Sequence, residues 1–318
     1  MSGTWPGWLP PESLAVLAAA TWATASLFSA AASARMGAFA FTRWRMVFAA
    51  LLLWGMALAT GSWRSLAGDG LGAGSGAAGE GVWNAVGLLV LSGVIGIFVG
   101  DTALFACMNR LGPRRSGLLF ATHSLFTVVL AALFLGESLK GWALPGGVLL
   151  VGGVMGAIAF GKRIGVAHQL ESTQGQLAAG VALGVLSALG QSVGTLVLKP
   201  AMAAGLDPVA ASAVRMTAGF ACHALLWCTG LPMARVQSPL QWRDLAYTFA
   251  SATLAMAVGM TLILKALQHG SAGLVGMLSS VSPVLLLPLL WWRTGQRPSW
   301  GAWVGAAMAV LGCALLLG

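Results

Sequence analysis

Ten apolar stretches, each near the length of a membrane span, divide this chain almost from end to end. They run roughly 12–32, 41–60, 84–108, 113–135, 142–160, 176–198, 207–230, 246–267, 271–292 and 300–317. A helix of about 20 apolar residues crosses the hydrocarbon core of a bilayer. Of the 318 residues 58% are hydrophobic and 8% are charged, against about 25% charged in a soluble domain. A soluble chain of this size would carry a greasy surface, and a bilayer removes that penalty. The expectation is an all-α integral membrane protein with ten transmembrane helices. It would be multi-pass in the cell membrane, a bacterial inner membrane by this reading, with the lipid bilayer as its first partner.

The net charge of +9 raises the question of nucleic acid. The basic residues stand singly or in pairs between apolar runs and form no stripe, so a nucleic-acid partner is not expected. In a membrane protein such charges set orientation. Twelve of them (Arg35, Arg43, Arg45, Arg110, Arg114, Arg115, Lys162, Arg163, Arg235, Arg243, Arg293 and Arg297) lie in or beside loops that follow odd-numbered spans. Arg64, Lys140, Lys199 and Lys265 lie at the even ones. This count places the odd loops in the cytoplasm and both termini outside. The N-terminal segment MSGTWPGWLPPES has no basic n-region, so the first run reads as a retained span.

Little here suggests metal or cofactor chemistry. Cys107, Cys222, Cys228 and Cys313 fall in apolar runs without a CxxC pair, and His123, His168, His223 and His269 are dispersed. The run from Gly68 to Gly76 is rich in glycine but lacks the Gly-Lys-Ser/Thr ending of a phosphate-binding loop. It reads as a linker. Residues 161–175 are polar and divide the chain into 1–160 and 176–318. Gly180, Gly184 and Ala188, like Gly152 and Gly156, lie four apart, a spacing that lets helix backbones approach closely.

Shifting the chain by half its length aligns the ends of the two halves without a gap. Gly100 meets Gly259, Thr102 meets Thr261, Gly136 meets Gly295, Gly146 meets Gly305 and Gly153 meets Gly312. Upstream the offset differs, but Arg45-Met46 and Arg215-Met216 hold similar places in the second helix of each half. Repeats of five spans, an odd number, must sit upside down relative to each other. Inverted repeats are a transporter architecture with the substrate site near the midplane.

The fourth and fifth spans read SGLLFATHSLFTVVLAALFLGESLKGWALPGGVLLVGGV, and the ninth and tenth VGMLSSVSPVLLLPLLWWRTGQRPSWGAWVGAAMAVLG. Both resemble the EamA repeat of the drug/metabolite transporter superfamily: a proline, an apolar run, a Gly-Glu pair and a Gly-rich last helix. Gly136-Glu137 is that pair in the first half and Pro283 the proline in the second. Ser124 and Gln296 depart from the pattern. The resemblance covers nearly the whole chain. It implies two inverted five-helix EamA-like units, and a secondary transporter that moves a small metabolite or drug-like solute by alternating access, expected as an exporter. Many members are described with both termini in the cytoplasm, opposite to the charge count. Small multidrug relatives rely on an acidic residue in the first helix. This chain has none within its first or sixth span apart from Glu12 at the edge, which argues against proton-coupled export of cationic drugs.

Several polar residues inside the spans are candidates for a cavity wall. An intramembrane carboxylate is costly and is a functional candidate by default. Asp101 could hold a coupling proton or a substrate amine, or could pair structurally with an arginine; Thr102 follows it. Arg215 could meet a substrate carboxylate. Arg45 reads more readily as snorkelling to headgroups. His123 meets Ser282 in the repeat, so the polar cluster Thr122, His123 and Ser124 lies at the depth of the cluster Ser279, Ser280 and Ser282, and Gln191 and Ser192 lie in the sixth span. Ser and Thr hydroxyls can equally bond their own backbone. Glu137 reads as a turn or loop hydrogen bond and His223 as packing. Competing classes are a membrane-embedded enzyme, for which no Asp-rich or His-pair motif is present, and a structural or scramblase-like protein.

Overall fold

The computed structural model describes residues 10–68, 78–137, 141–160, 176–295 and 297–317, and within them the regular elements are helices. The spans are α1 (Pro11–Met36), α2 (Ala38–Thr60), α3 (Gly81–Gly112), α4 (Arg115–Leu135), α5 (Leu144–Ala159), α6 (Leu177–Ala203), α7 (Pro208–Cys228), α8 (Trp242–His269), α9 (Ala272–Leu289) and α10 (Trp300–Leu316). Eight are long and apolar enough to cross a bilayer, while α5 and α10 are shorter apolar helices. The connecting segment assigned to 161–175, most of the glycine-rich linker and Gln296 lie outside the described residues.

The repeat is visible in backbone irregularities that recur at the same offset. The helix ending at Leu135 is capped by Gly136, and the one running on through α9 to Thr294 is capped by Gly295; both glycines have φ 65°. That left-handed conformation is open to glycine at little cost. In α3 the residues Gly93–Asp101 form wide π-helical turns, and in α8 the residues Ala252–Gly259 do the same. The spans expected to be continuous at 113–135 and 271–292 are each broken, the first at Thr122 and the second at Ser280–Val281. Pro283 sits at the start of the helix after the second break. Ser124 stands at its counterpart, so the first break forms without a proline.

Inversion of the halves follows from how α5 meets α10. A Cβ on Gly153 would lie 2.6 Å from the Gly305 carbonyl oxygen, and one on Gly305 would lie 2.6 Å from that of Gly153. Gly146 and Gly312 meet in the same reciprocal way. Moving up one helix therefore means moving down the other, so these equivalent helices run antiparallel. Lipid supplies no hydrophobic push between helices, and close backbone packing supplies the attraction instead. The seam uses Gly146 and Gly153. Gly152, of the expected four-residue pattern, faces open space: a Cβ there would meet nothing within 4 Å.

The wide turns are packed in the same manner. In α3, Gly96 and Gly100 lie against Gly194 and Gly190 of α6. In the other half, Gly259 of α8 lies against Thr21 and Trp22 of α1. Carbonyls loosened by a wide turn must find donors inside a bilayer. Trp22 Nε1 donates to the Ala255 carbonyl at 2.9 Å, and Thr261 Oγ1 donates to that of Ala257 at 2.6 Å.

Polar contacts tie the halves together at both ends of the bundle. At one end Arg35 pairs with Asp244 at 3.1 Å, and the hydroxyls of Ser29 and Ser251 lie 2.8 Å apart, joining α1 to α8. At the other, Glu137 accepts from the N–H groups of Ala272 and Gly273 at 2.9 and 3.0 Å. Within the second half, Lys199 Nζ donates at the same end to the carbonyls of Leu267 and Gly270 at 2.7 and 2.6 Å. A carboxylate at the N-terminus of α9 and an ammonium at the C-terminus of α8 both complement helix dipoles.

Candidate functional site

The wide turn in α3 ends on Asp101, eleven residues before Gly112, so the carboxylate lies about 16 Å from the end of its helix at 1.5 Å per residue. That is deeper than a span ending near 108 would place it. Arg45 of α2 donates from Nη1 to Asp101 Oδ2 at 3.1 Å. The two side chains are 7% and 8% exposed. The guanidinium also lies over the rings of Phe105 and Phe41, at 5.2 and 5.9 Å from their centroids, a favourable cation–π placement. Arg45 does not snorkel. It is buried and paired, because the shape of α2 turns it toward α3 rather than along the lipid face.

Arg215 of α7 holds the equivalent place in the other half. Its repeat-related partner is Met260, which follows the wide turn of α8 as Asp101 ends that of α3. Arg215 Nη1 lies 3.0 Å from Met260 Sδ. Where the first half has a guanidinium on a carboxylate, the second has a guanidinium on a thioether. Arg215 is 1% exposed, and among the described residues its Nε has no hydrogen-bond partner. Asp101 lies within electrostatic reach of Arg215 as well as Arg45. Guanidinium groups keep their proton at any physiological pH, so this region holds two cations against one carboxylate.

The other candidates fall into two groups. Thr102 and Gln191 lie beside the segment of α3 that carries Asp101. Thr102 Oγ1 lies 3.1 Å from His223 Nε2, and the His223 ring sits edge-on to Phe98 at 4.8 Å. The backbone of Gln191 packs on Gly100, and the residue is 7% exposed. The hydroxyl-bearing candidates instead satisfy backbone carbonyls at the helix breaks. Thr122 donates to Leu119 O, Ser124 to Ala121 O, Ser279 to Gly276 O and Ser280 to Met277 O, at 2.6 to 2.9 Å. Ser282 begins the helix after the second break and is half-buried. Ser192 reaches from α6 to the His123 carbonyl at 2.7 Å and meets Thr127 Oγ1 at 3.1 Å. His123 is buried with its ring against Phe120. Among the described residues no group of three His, Cys, Asp or Glu side chains could hold a metal ion.

Reading the residues one at a time misses Arg45 and Met260. The signal lies in the repeat: Arg45 matches Arg215, and Asp101 matches Met260. Two matched pairs in neighbouring helices mark one contact and its altered copy.

Fold and cluster together define a multi-pass membrane protein of two inverted five-helix repeats, with charge buried where the halves meet. The sequence model of the EamA-like transporter family matches residues 9–159 and 178–318. The chain belongs to that family, whose members are membrane transporters of the drug/metabolite superfamily. A search of the curated proteins finds no match. Among solved structures, one crystal structure superposes with a TM-score of 0.71 at 19% identity, covering 96% of this chain and 95% of the other. At that identity the likeness speaks for the fold.

Proposed function

We propose that this protein is a secondary carrier that moves a small metabolite by alternating access, with the substrate site at the Arg45–Asp101–Arg215 cluster. The observation that carries the reading is the burial of this cluster, directly after the wide turns, at the junction of two inverted halves. Inverted repeats can exchange conformations, which opens a central site first to one side and then to the other. Wide turns of this kind often mark functional places in helices. In the present conformation Arg45, Asp101, Arg215 and Gln191 are all buried, so the site is closed to both surfaces. Opening must separate α1 from α8 at one end, or α4 and α6 from the α8–α9 corner at the other.

The test uses the contact between Ser29 and Ser251. In a background lacking the native cysteines, the pair Ser29→Cys and Ser251→Cys is oxidised and the protein is reconstituted in liposomes. Exchange of radiolabelled small metabolites should be saturable in the reduced protein and fall to background in the oxidised one. Equal exchange in both states would rule out access through that end.

A further inference from the structure

The charge count inside the bundle does not balance, and the repeat shows what is missing. The chain has eight carboxylate side chains. Asp244 serves Arg35, Asp207 caps α7, and Glu137 caps α9. Glu12 lies in the first turn of α1. Asp69, Glu80 and Glu171 fall in or beside the connecting segments. Among the described residues Asp101 is the carboxylate near Arg215, and its Oδ2 is engaged by Arg45. A buried cation in low dielectric without a partner is strongly disfavoured.

We infer that the substrate is a small solute bearing a carboxylate, and that Arg215 is the group that takes it. This rests on the carrier reading above. In the first half a carboxylate sits on the repeat-related guanidinium; in the second, the neutral thioether of Met260 stands in that place and leaves the charge unmatched. The surroundings of Arg215 support this. Gly96 lies beside Arg215, where a Cβ would stand 3.3 Å from Nη2 and 3.7 Å from the Gly190 carbonyl oxygen. With no side chain at Gly96, the backbone of α3 packs directly against the guanidinium. Met260, which touches Nη1, is buried and apolar. A buried guanidinium beside an apolar neighbour suits a monoanion with an apolar body better than a doubly charged phosphate, which would need donors for every oxygen.

The pairing of Met260→Glu with Arg215→Gln tests the assignment without relying on the fold failing. Glutamate has the chain length of methionine, so its carboxyl carbon takes the place of the sulfur and supplies the missing partner internally. Arg215→Gln removes the unmatched charge. Both variants should be at least as thermally stable as wild type, and both should lose the ligand. The probes are benzoate, 3-phenylpropionate and L-leucine, with 3-phenylpropionamide, 3-phenylpropylamine and leucine methyl ester as uncharged and cationic counterparts. Binding is read by thermal shift in detergent and exchange in proteoliposomes. The carboxylates should stabilise wild type and bind at least ~10-fold more weakly to either variant. Met260→Leu should keep binding. If the amide or amine probes are exchanged and the carboxylates are not, the carrier reading stands and the anion assignment is overturned. If carboxylates bind in the manner described but none is exchanged, the anion site stands and the carrier reading fails. Stabilisation by chloride alone, or undiminished carboxylate binding in Met260→Glu, would also overturn the assignment.

Discussion

Arg45 and Asp101 meet at 3.1 Å inside the bundle, and neither side chain is more than a tenth exposed. Breaking one partner of such a pair leaves the other charge buried alone, at a cost of about 3–5 kcal/mol, whereas replacing both by apolar groups is often neutral. Asp101→Leu and Arg45→Met should each lower the melting temperature in detergent markedly. The double variant Arg45→Met with Asp101→Leu should recover most of the loss. Additive losses in this cycle would show that the pair is not coupled.

Glu137 ties the end of α4 to the start of α9 in the other half through two N–H groups. Its removal uncovers helix donors that nothing else in the described contacts satisfies. Glu137→Ala should cost about 1–2 kcal/mol, the scale of a lost helix cap, and Glu137→Gln less, because an amide oxygen still accepts. Hydrogen exchange of the Ala272 and Gly273 amides reads the effect directly. Protection left unchanged in the alanine variant would remove Glu137 from this role.

Ser192 bridges α6 and α4 by bonding the His123 carbonyl. Interhelical hydrogen bonds in membrane proteins average only ~0.6 kcal/mol. Ser192→Ala should therefore cost less than ~1 kcal/mol and leave substrate preference as it is. A changed ligand profile in this variant would place Ser192 on the wall of the binding site.

The seam between α5 and α10 should be far less tolerant. A Cβ on Gly305 would come within 2.2 Å of Ala157 N, and one on Gly153 within 2.4 Å of Ala309 N. Gly153→Ala or Gly305→Ala should destabilise by about 1–3 kcal/mol through overpacking. Gly152→Ala, with open space around the position, should be near neutral. Similar melting temperatures for the Gly152 and Gly153 variants would mean that the helices separate easily.

The ten spans and their pairing into halves are legible in the sequence because a bilayer demands long apolar runs and because the repeat keeps its glycines in step. The breaks at Thr122 and Ser280–Val281 are not. Each interrupts a run whose hydropathy is continuous, and a bend costs no apolar character. Arg45 illustrates the same limit at the site. A cation a turn or two inside a span can reach headgroups or turn inward, and only the packing of α2 on α3 decides which. Asp101 stands out by its charge alone, yet its depth depends on where α3 ends. The glycine seam is hard to place for a related reason: Gly152 and Gly153 are neighbours, and sequence spacing does not say which of them faces α10.

The antiparallel seam has one more property, which comes from symmetry. Exchanging the roles of the halves turns the contact of Gly146 with Gly312 into that of Gly305 with Gly153, which is already made. A contact that maps onto itself survives such an exchange unaltered. The contacts of α1 with α8, by contrast, map onto contacts of α6 with α3, so one set can tighten as the other loosens. In the proposed alternating-access cycle, the line of α5 and α10 is thus the axle of the molecule: the part that stays still while everything else trades places around it.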